Sequence, residues 1–128
     1  SESGYTVSEG WSLNDDGYMS TPVVIDGIAY EHLRSQRLMA VDLKTGNKLW
    51  ESDQRFGKYW SIISNGDRML ALDQNGSLLL LGASREKFNL IDQRKVSDAE
   101  TWAHVAAADD QIFIRDLKGL SAWIWKTP

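Results

Sequence analysis

The chain repeats itself with a period near forty residues. Three apolar runs each meet a short polar turn and then resume. The first is Thr21-Pro22-Val23-Val24-Ile25, turning at Asp26-Gly27 into Ile28-Ala29-Tyr30. The second is Trp60-Ser61-Ile62-Ile63, turning at Asn65-Gly66-Asp67 into Met69-Leu70-Ala71-Leu72. The third is Trp102-Ala103-His104-Val105-Ala106, turning at Asp109-Asp110 into Ile112-Phe113-Ile114. Asp26, Gly66 and Asp109 are thus separated by 40 and then 43 residues. Asp26-Gly27 and Asn75-Gly76 are hairpin signals, because these residues accept positive φ. A third strand follows in each unit: Leu38 to Val41, Leu78 to Leu81 and Leu120 to Trp123. A fourth follows in the first two, Lys48 to Glu51 and about Phe88 to Lys95. The third unit ends at Pro128 without one.

Short strands at this period are the spacing of propeller blades. The expectation is an all-β chain forming a partial β-propeller of about three four-stranded antiparallel blades. Residues 1–128 would form one segment, with blades over about 19–53, 59–96 and 101–128. Residues 5–13 read as the outer strand of a preceding blade, or as a strand closing the third. No long helix is expected, only a short polar connection over 94–100. Because about four to eight blades close a ring, three leave two open apolar faces. The chain is expected to be part of a longer propeller or to self-associate.

Composition narrows the function. A net charge of -4 without a basic run gives no attraction for nucleic acid. The polar start Ser1-Glu2-Ser3-Gly4 carries no signal-peptide pattern, and no apolar stretch approaches the roughly 18 residues that span a bilayer. The chain has no cysteine, which removes disulfides, thiolate catalysis and cysteine-bound zinc and fits an extracytoplasmic location.

The most informative stretch is Ala40-Val41-Asp42-Leu43-Lys44-Thr45-Gly46-Asn47-Lys48-Leu49-Trp50, of pattern A-x-D-x-x-T-G-x-x-x-W. Asp42 ends a strand where its carboxylate can accept turn amides, and Thr45 can cap the same turn. Gly46 can supply positive φ. Trp50 returns on the next strand with a large ring to bury. This segment resembles the tryptophan-docking motif of the pyrroloquinoline-quinone-type propeller repeats, and Ser20 to Tyr30 resembles the first two strands of that repeat. The resemblance covers about a quarter of the chain. The other two units keep the turn but lack T-G-x-x-x-W. It implies that Ala40, Asp42, Thr45, Gly46 and Trp50 form a structural docking motif, with the tryptophan packed between blades.

The family includes quinone-dependent dehydrogenases, which use a quinone, a calcium ion and an aspartate base. It also includes an outer-membrane assembly lipoprotein that works by binding partners. No catalytic set is evident here. Asn14-Asp15-Asp16-Gly17 resembles part of a calcium loop but lacks alternating ligands and a distal Glu. His32, near Arg34, and His104 belong to different units and lack a carboxylate at metal-ligand spacing. The expectation is no metal, quinone or calcium in this segment. Asn75-Gly76-Ser77 fits a glycosylation sequon but reads better as a hairpin.

One aromatic constellation invites a binding role. Tyr59-Trp60 and Trp102-Ala103-His104 place a tryptophan at the start of two innermost strands, near the rim of a central channel. Packing between blades is the weightier reading of such rings. The alternative is a flat apolar platform formed by Tyr59, Trp60, Trp102 and His104, with Lys58 as a polar neighbour. The leading expectation is a non-catalytic module for protein interaction or scaffolding. The runner-up is a piece of a quinone-dependent dehydrogenase whose catalytic residues lie elsewhere. A sugar-binding module is a third.

Overall fold

A computed structural model describes residues 4–15, 17–126 and 128. Eleven strands form three antiparallel sheets among these residues. Sheet 1 holds β1 (Val23–Ile25), β2 (Ile28–His32), β3 (Leu38–Asp42) and β4 (Lys48–Glu51) in that order. Sheet 2 holds β5 (Trp60–Asn65), β6 (Arg68–Asp73), β7 (Ser77–Gly82) and β8 (Leu90–Lys95), also in chain order. Sheet 3 has three strands, β9 (Ala106–Ala108), β10 (Gln111–Arg115) and β11 (Leu120–Trp123). Each sheet is a meander joined by tight turns. Asp26, Gly27, Gly66 and Asp109 take the positive φ that two-residue hairpins require. The described residues include no helix.

Two-residue alternation explains the core. In β7 four consecutive leucines are satisfied on two faces. Leu79 and Leu81 face sheet 1 and join Tyr30, Leu38, Ala40, Ile62, Met69 and Ala71 in one cluster. Leu78 packs on the opposite face with Leu72, Val105, Ile112 and Ile114, and Trp125 lies against that group. Sheet 2 is therefore the middle layer. Strand β3 is likewise buried on both faces, with Met39 and Val41 forming a small cluster with Leu33 on the side away from sheet 2.

Sheets 1 and 2 are locked by Trp50. Its Nε1 donates to the Ser84 carbonyl in the β7–β8 loop at 2.8 Å. The ring packs against Tyr30 and Phe88, with centroids 5.9 and 6.1 Å away. The Tyr30 hydroxyl accepts the Ser84 amide at 2.9 Å. The turn preceding Trp50 is rigid in its own right. Asp42 accepts the Lys44 and Thr45 amides at 2.8 and 3.1 Å, and its second oxygen meets Arg85 of sheet 2 at 2.5 Å. Arg85 first, and then the Thr45 amide, hold the Asp42 carboxyl below its ordinary pKa.

Two expectations are corrected. Residues 5–13 form no strand. The segment is held to sheet 1 through side chains instead. Trp11 donates to the Leu43 carbonyl at 2.8 Å, and Asp15 pairs with Lys48 at 3.1 Å. The innermost strand of the third unit also starts later than Trp102. The Val105 amide is taken by Ser61 Oγ of sheet 2 at 2.9 Å, so pairing with β10 begins only at Ala106.

His32 is wholly buried, with its ring stacked on Trp60 at 5.1 Å and an interplanar angle of 7°. Neither ring nitrogen makes a well-formed hydrogen bond among the described residues. Burial pushes its pKa down to about 4, and the nearby Gly57 backbone offsets only part of that.

Two outcomes follow from these contacts. Trp50→Phe removes the Ser84 bond and should cost about 1–2 kcal/mol, whereas Trp50→Ala should cost about 3–5 kcal/mol, both read by urea unfolding. For His32 the folded pKa lies below the unfolded value near 6.5. Its contribution is fully present above the unfolded value and declines as pH falls from there to about 4. The total loss is of order 3 kcal/mol. Burial raises Asp73 and Glu31, which act in the opposite direction at acid pH. Comparing urea midpoints of wild type and His32→Phe across that range isolates the histidine, and the variant should lack the decline.

Candidate functional site

The residues before each innermost strand converge on one rim. Counting back from the first hairpin of each sheet, Tyr59 and Trp102 stand at the same position of the repeat. Trp60 is one residue further on, where sheet 3 has Ala103. Side chains alternate along an extended chain, so the two sets point to opposite sides. Tyr59 and Trp102 lie together, ring centroids 5.3 Å apart, and Trp102 is 54% exposed. Trp60 turns inward and packs on Phe56 at 4.6 Å as well as on His32. The expected platform of Tyr59, Trp60, Trp102 and His104 is thereby divided: Trp60 is a core residue at 4% exposure. The His104 ring Nδ1 lies 2.9 Å from the Val105 carbonyl and makes no ring contact with Trp102.

A third ring, not singled out from the sequence, completes the cluster. Tyr18 lies 5.9 Å from Tyr59, with the Lys58 ammonium 4.8 Å and the Arg34 guanidinium 5.0 Å from its ring centre. Hydrogen bonding to Lys58, then to Tyr59, draws the Tyr18 phenol below its ordinary pKa. No sequence pattern marks Tyr18. Only its cation neighbours, brought from two different linkers, give it a role.

The backbone beneath these rings is fixed by two residues at the end of β6. Gln74 Oε1 accepts the Lys58 and Tyr59 amides at 2.9 and 3.2 Å. Its Nε2 donates to Glu100 at 3.2 Å, and the other Glu100 oxygen accepts Trp102 Nε1 at 2.9 Å. Asp73, buried, accepts the Gly57 amide at 2.5 Å, and its carbonyl accepts the Thr101 hydroxyl. Desolvation raises the Asp73 carboxyl above its usual pKa, against the pull of the Gly57 amide. One turn of sheet 2 thus positions both incoming linkers. The result is a band of half-buried Tyr18 and Tyr59 and exposed Trp102, flanked by a cation at Lys58 and a carboxylate at Glu100. Such a band offers stacking surface and both signs of charge.

The docking residues lie at the junction of sheets 1 and 2. Asp42, Thr45 and Gly46 form the turn, with Thr45 Oγ1 accepting the Asn47 amide at 3.2 Å. Gly46 has φ +74°, and a Cβ there would sit 2.8 Å from the Trp11 indole. Ala40 pairs with Trp50 across β3 and β4 and is fully buried. Of the acidic pair beside Gly17, Asp15 is ion-paired with Lys48, and Asp16 lies outside the described residues. Among the described residues, no three His, Cys, Asp or Glu side chains cluster to hold a metal.

No protein-family model matches the chain. The outer membrane protein assembly factor BamB of Salmonella typhimurium is 36% identical over 62 residues, covering 48% of this chain and 15% of that protein. The crystal structure of BamB from Moraxella catarrhalis matches 87% of this chain with a TM-score of 0.70 at 13% identity, and the match spans 34% of that chain. A europium-containing methanol dehydrogenase matches 90% of this chain at a TM-score of 0.63 and 14% identity, over 24% of its own length. The chain has the fold of a partial β-propeller, and its sequence is similar to the assembly factor over those 62 residues. It spans 15% of the length of the curated relative it matches.

The Tyr18 environment is open to direct measurement. Lys58→Met should return the Tyr18 phenol toward its ordinary value near 10. An ultraviolet tyrosinate titration should then lose its lowest-titrating step.

Proposed function

We propose that this segment is a non-catalytic interaction module that binds extended polypeptide through the aromatic band. The observation that carries the reading is the trio of half-buried Tyr18 and Tyr59 and exposed Trp102, with Tyr59 and Trp102 held by Gln74 and Glu100. Aromatic rings with few rotors present large contact area at low entropic cost and dominate protein interfaces. Lys58 and Glu100 add a cation and a carboxylate at the margin of the band. The partial likeness to an outer membrane protein assembly factor supports a polypeptide partner and a place outside the cytoplasm. No helix among the described residues is long and apolar enough to cross a membrane.

A second reading draws on the likeness of fold to a methanol dehydrogenase, namely a piece of a quinone-dependent dehydrogenase. Reduction of a dye by the chain supplied with quinone, calcium and an alcohol would favour it over the interaction module.

Binding of an outer-membrane β-barrel polypeptide, diluted from urea onto the immobilised chain, tests the first reading. Trp102→Ala should weaken binding at least about tenfold. Its thermal midpoint should move little, because the ring is largely exposed. Unchanged binding in a folded Trp102→Ala, Tyr59→Ala double variant would sink the proposal.

A further inference from the structure

Equivalent places in the three sheets are filled by different chemistry. At the docking position, Ala40 pairs with Trp50 and Leu80 pairs with Asp92, each pair just before a bulge, so Asp92 stands where Trp50 stands. The same holds at the rim. Counted back from the first hairpin of each sheet, Tyr18, Lys58 and Thr101 share one position of the repeat. Only sheet 2 puts a cation there.

The Lys58 ammonium is oriented by rings. It lies 4.8 Å from the Tyr18 ring centre and 5.9 Å from that of Tyr59. The Lys58 amide donates to Gln74 Oε1 at 2.9 Å, which fixes the backbone from which the side chain leaves. A phenol and two ring faces attract an ammonium without neutralising it. Lys48, Arg85 and Arg94 each pair with a carboxylate, whereas no carboxylate among the described residues comes within ion-pair reach of the exposed Lys58. The Arg34 guanidinium, 5.0 Å from the Tyr18 ring centre, adds to the positive field.

Glu100 forms the opposite end of the band. Its two oxygens accept neutral donors, Gln74 Nε2 and Trp102 Nε1, and no cation among the described residues pairs with it. With its N–H used in this way, Trp102 offers only ring faces. Between the charged ends lie Tyr59 and Trp102, 5.3 Å apart. An extended segment advances about 3.3 Å per residue, and residues two apart share a face. A step of two residues therefore matches the 5.9 Å from the Lys58 ammonium to the Tyr59 ring.

We propose that the segment bound by the band carries an acidic residue two places from an aromatic one. The acid meets Lys58, and the ring stacks on Tyr59 and Trp102. A basic residue on the far side of the ring meets Glu100. This inference rests on the reading of the band as a polypeptide site and adds the chemistry of the partner. The net charge of the chain is -4, so its mean field favours basic peptides. A preference for an acid thus reports the local cations, because exposed charges beyond roughly 10 Å are screened at 0.1 M salt.

The probe is a capped seven-residue threonine peptide with glutamate, tryptophan and lysine at its second, fourth and sixth places. Binding is followed by calorimetry and by the amide resonances of Lys58, Tyr59 and Trp102. The wild-type chain should bind it about fivefold to tenfold more tightly than the peptide with lysine in place of glutamate. Added salt should shrink that difference. Lys58→Glu should reverse the preference, whereas a merely structural role for Lys58 would weaken both peptides alike. Should that variant not fold, Lys58→Met keeps the aliphatic stem and should erase the preference. Equal affinity of the two peptides for the wild-type chain, or an unchanged preference in either folded variant, overturns the proposal and leaves the band standing as a polypeptide site. Failure of both peptides to bind at millimolar concentration also overturns it. The β-barrel polypeptide experiment then decides separately whether the broader reading falls as well.

Discussion

The structure depends on an indole reaching from the outer strand of one sheet to a backbone carbonyl of the next. Propeller sheets have little else to fix their mutual angle, because face-to-face apolar packing is tolerant of sliding. A hydrogen bond from Trp50 Nε1 to a loop carbonyl is not tolerant in this way. It selects one rotation and one translation of sheet 2 against sheet 1. The surrounding contacts reinforce the same choice, since Tyr30 takes the Ser84 amide and Arg85 takes Asp42. Three side chains of sheet 1, Trp50, Tyr30 and Asp42, thus address two consecutive positions of the next sheet's loop, Ser84 and Arg85.

The consequences differ on the two sides of sheet 2. Toward sheet 1 the core holds a run of ring contacts from Tyr30 through Trp50, Phe88 and Phe56 to Trp60. Toward sheet 3 the contact rests on smaller residues, Leu72, Leu78, Val105, Ile112 and Ile114. There Asp92 replaces the docking indole, and polar bonds from the linkers carry more of the registration: Ser61 to Val105, Asp73 to Thr101, Gln74 to Glu100. These bonds lie at the end of β6, beside the aromatic band. The same clamp that seats sheet 3 also sets the positions of Tyr59 and Trp102. Fold and candidate site are one arrangement there.

The legibility of the sequence follows from this division. Strand order and turns were readable because hairpin chemistry is local: Asp26-Gly27 and Asn75-Gly76 need only their own φ angles. The A-x-D-x-x-T-G-x-x-x-W stretch was readable because its turn bonds close within a few residues. The beginning of the third unit was misread because a non-local bond, Ser61 to Val105, takes an amide from the ladder. Trp60 and Trp102 look alike in sequence but differ by one residue in register. In an extended chain that difference exchanges buried for exposed. Tyr18 was invisible because its neighbours come from distant places, Arg34 from the β2–β3 turn and Lys58 from the linker before β5.

The loss of the docking motif in the second unit has a physical reading of its own. Replacing a buried indole by a carboxylate at one position would, in a tight junction, strand a charge without partners. Here Asp92 is only partly buried and finds Arg94 two residues along the same strand. The substitution is therefore tolerated by opening the junction and not by refilling it.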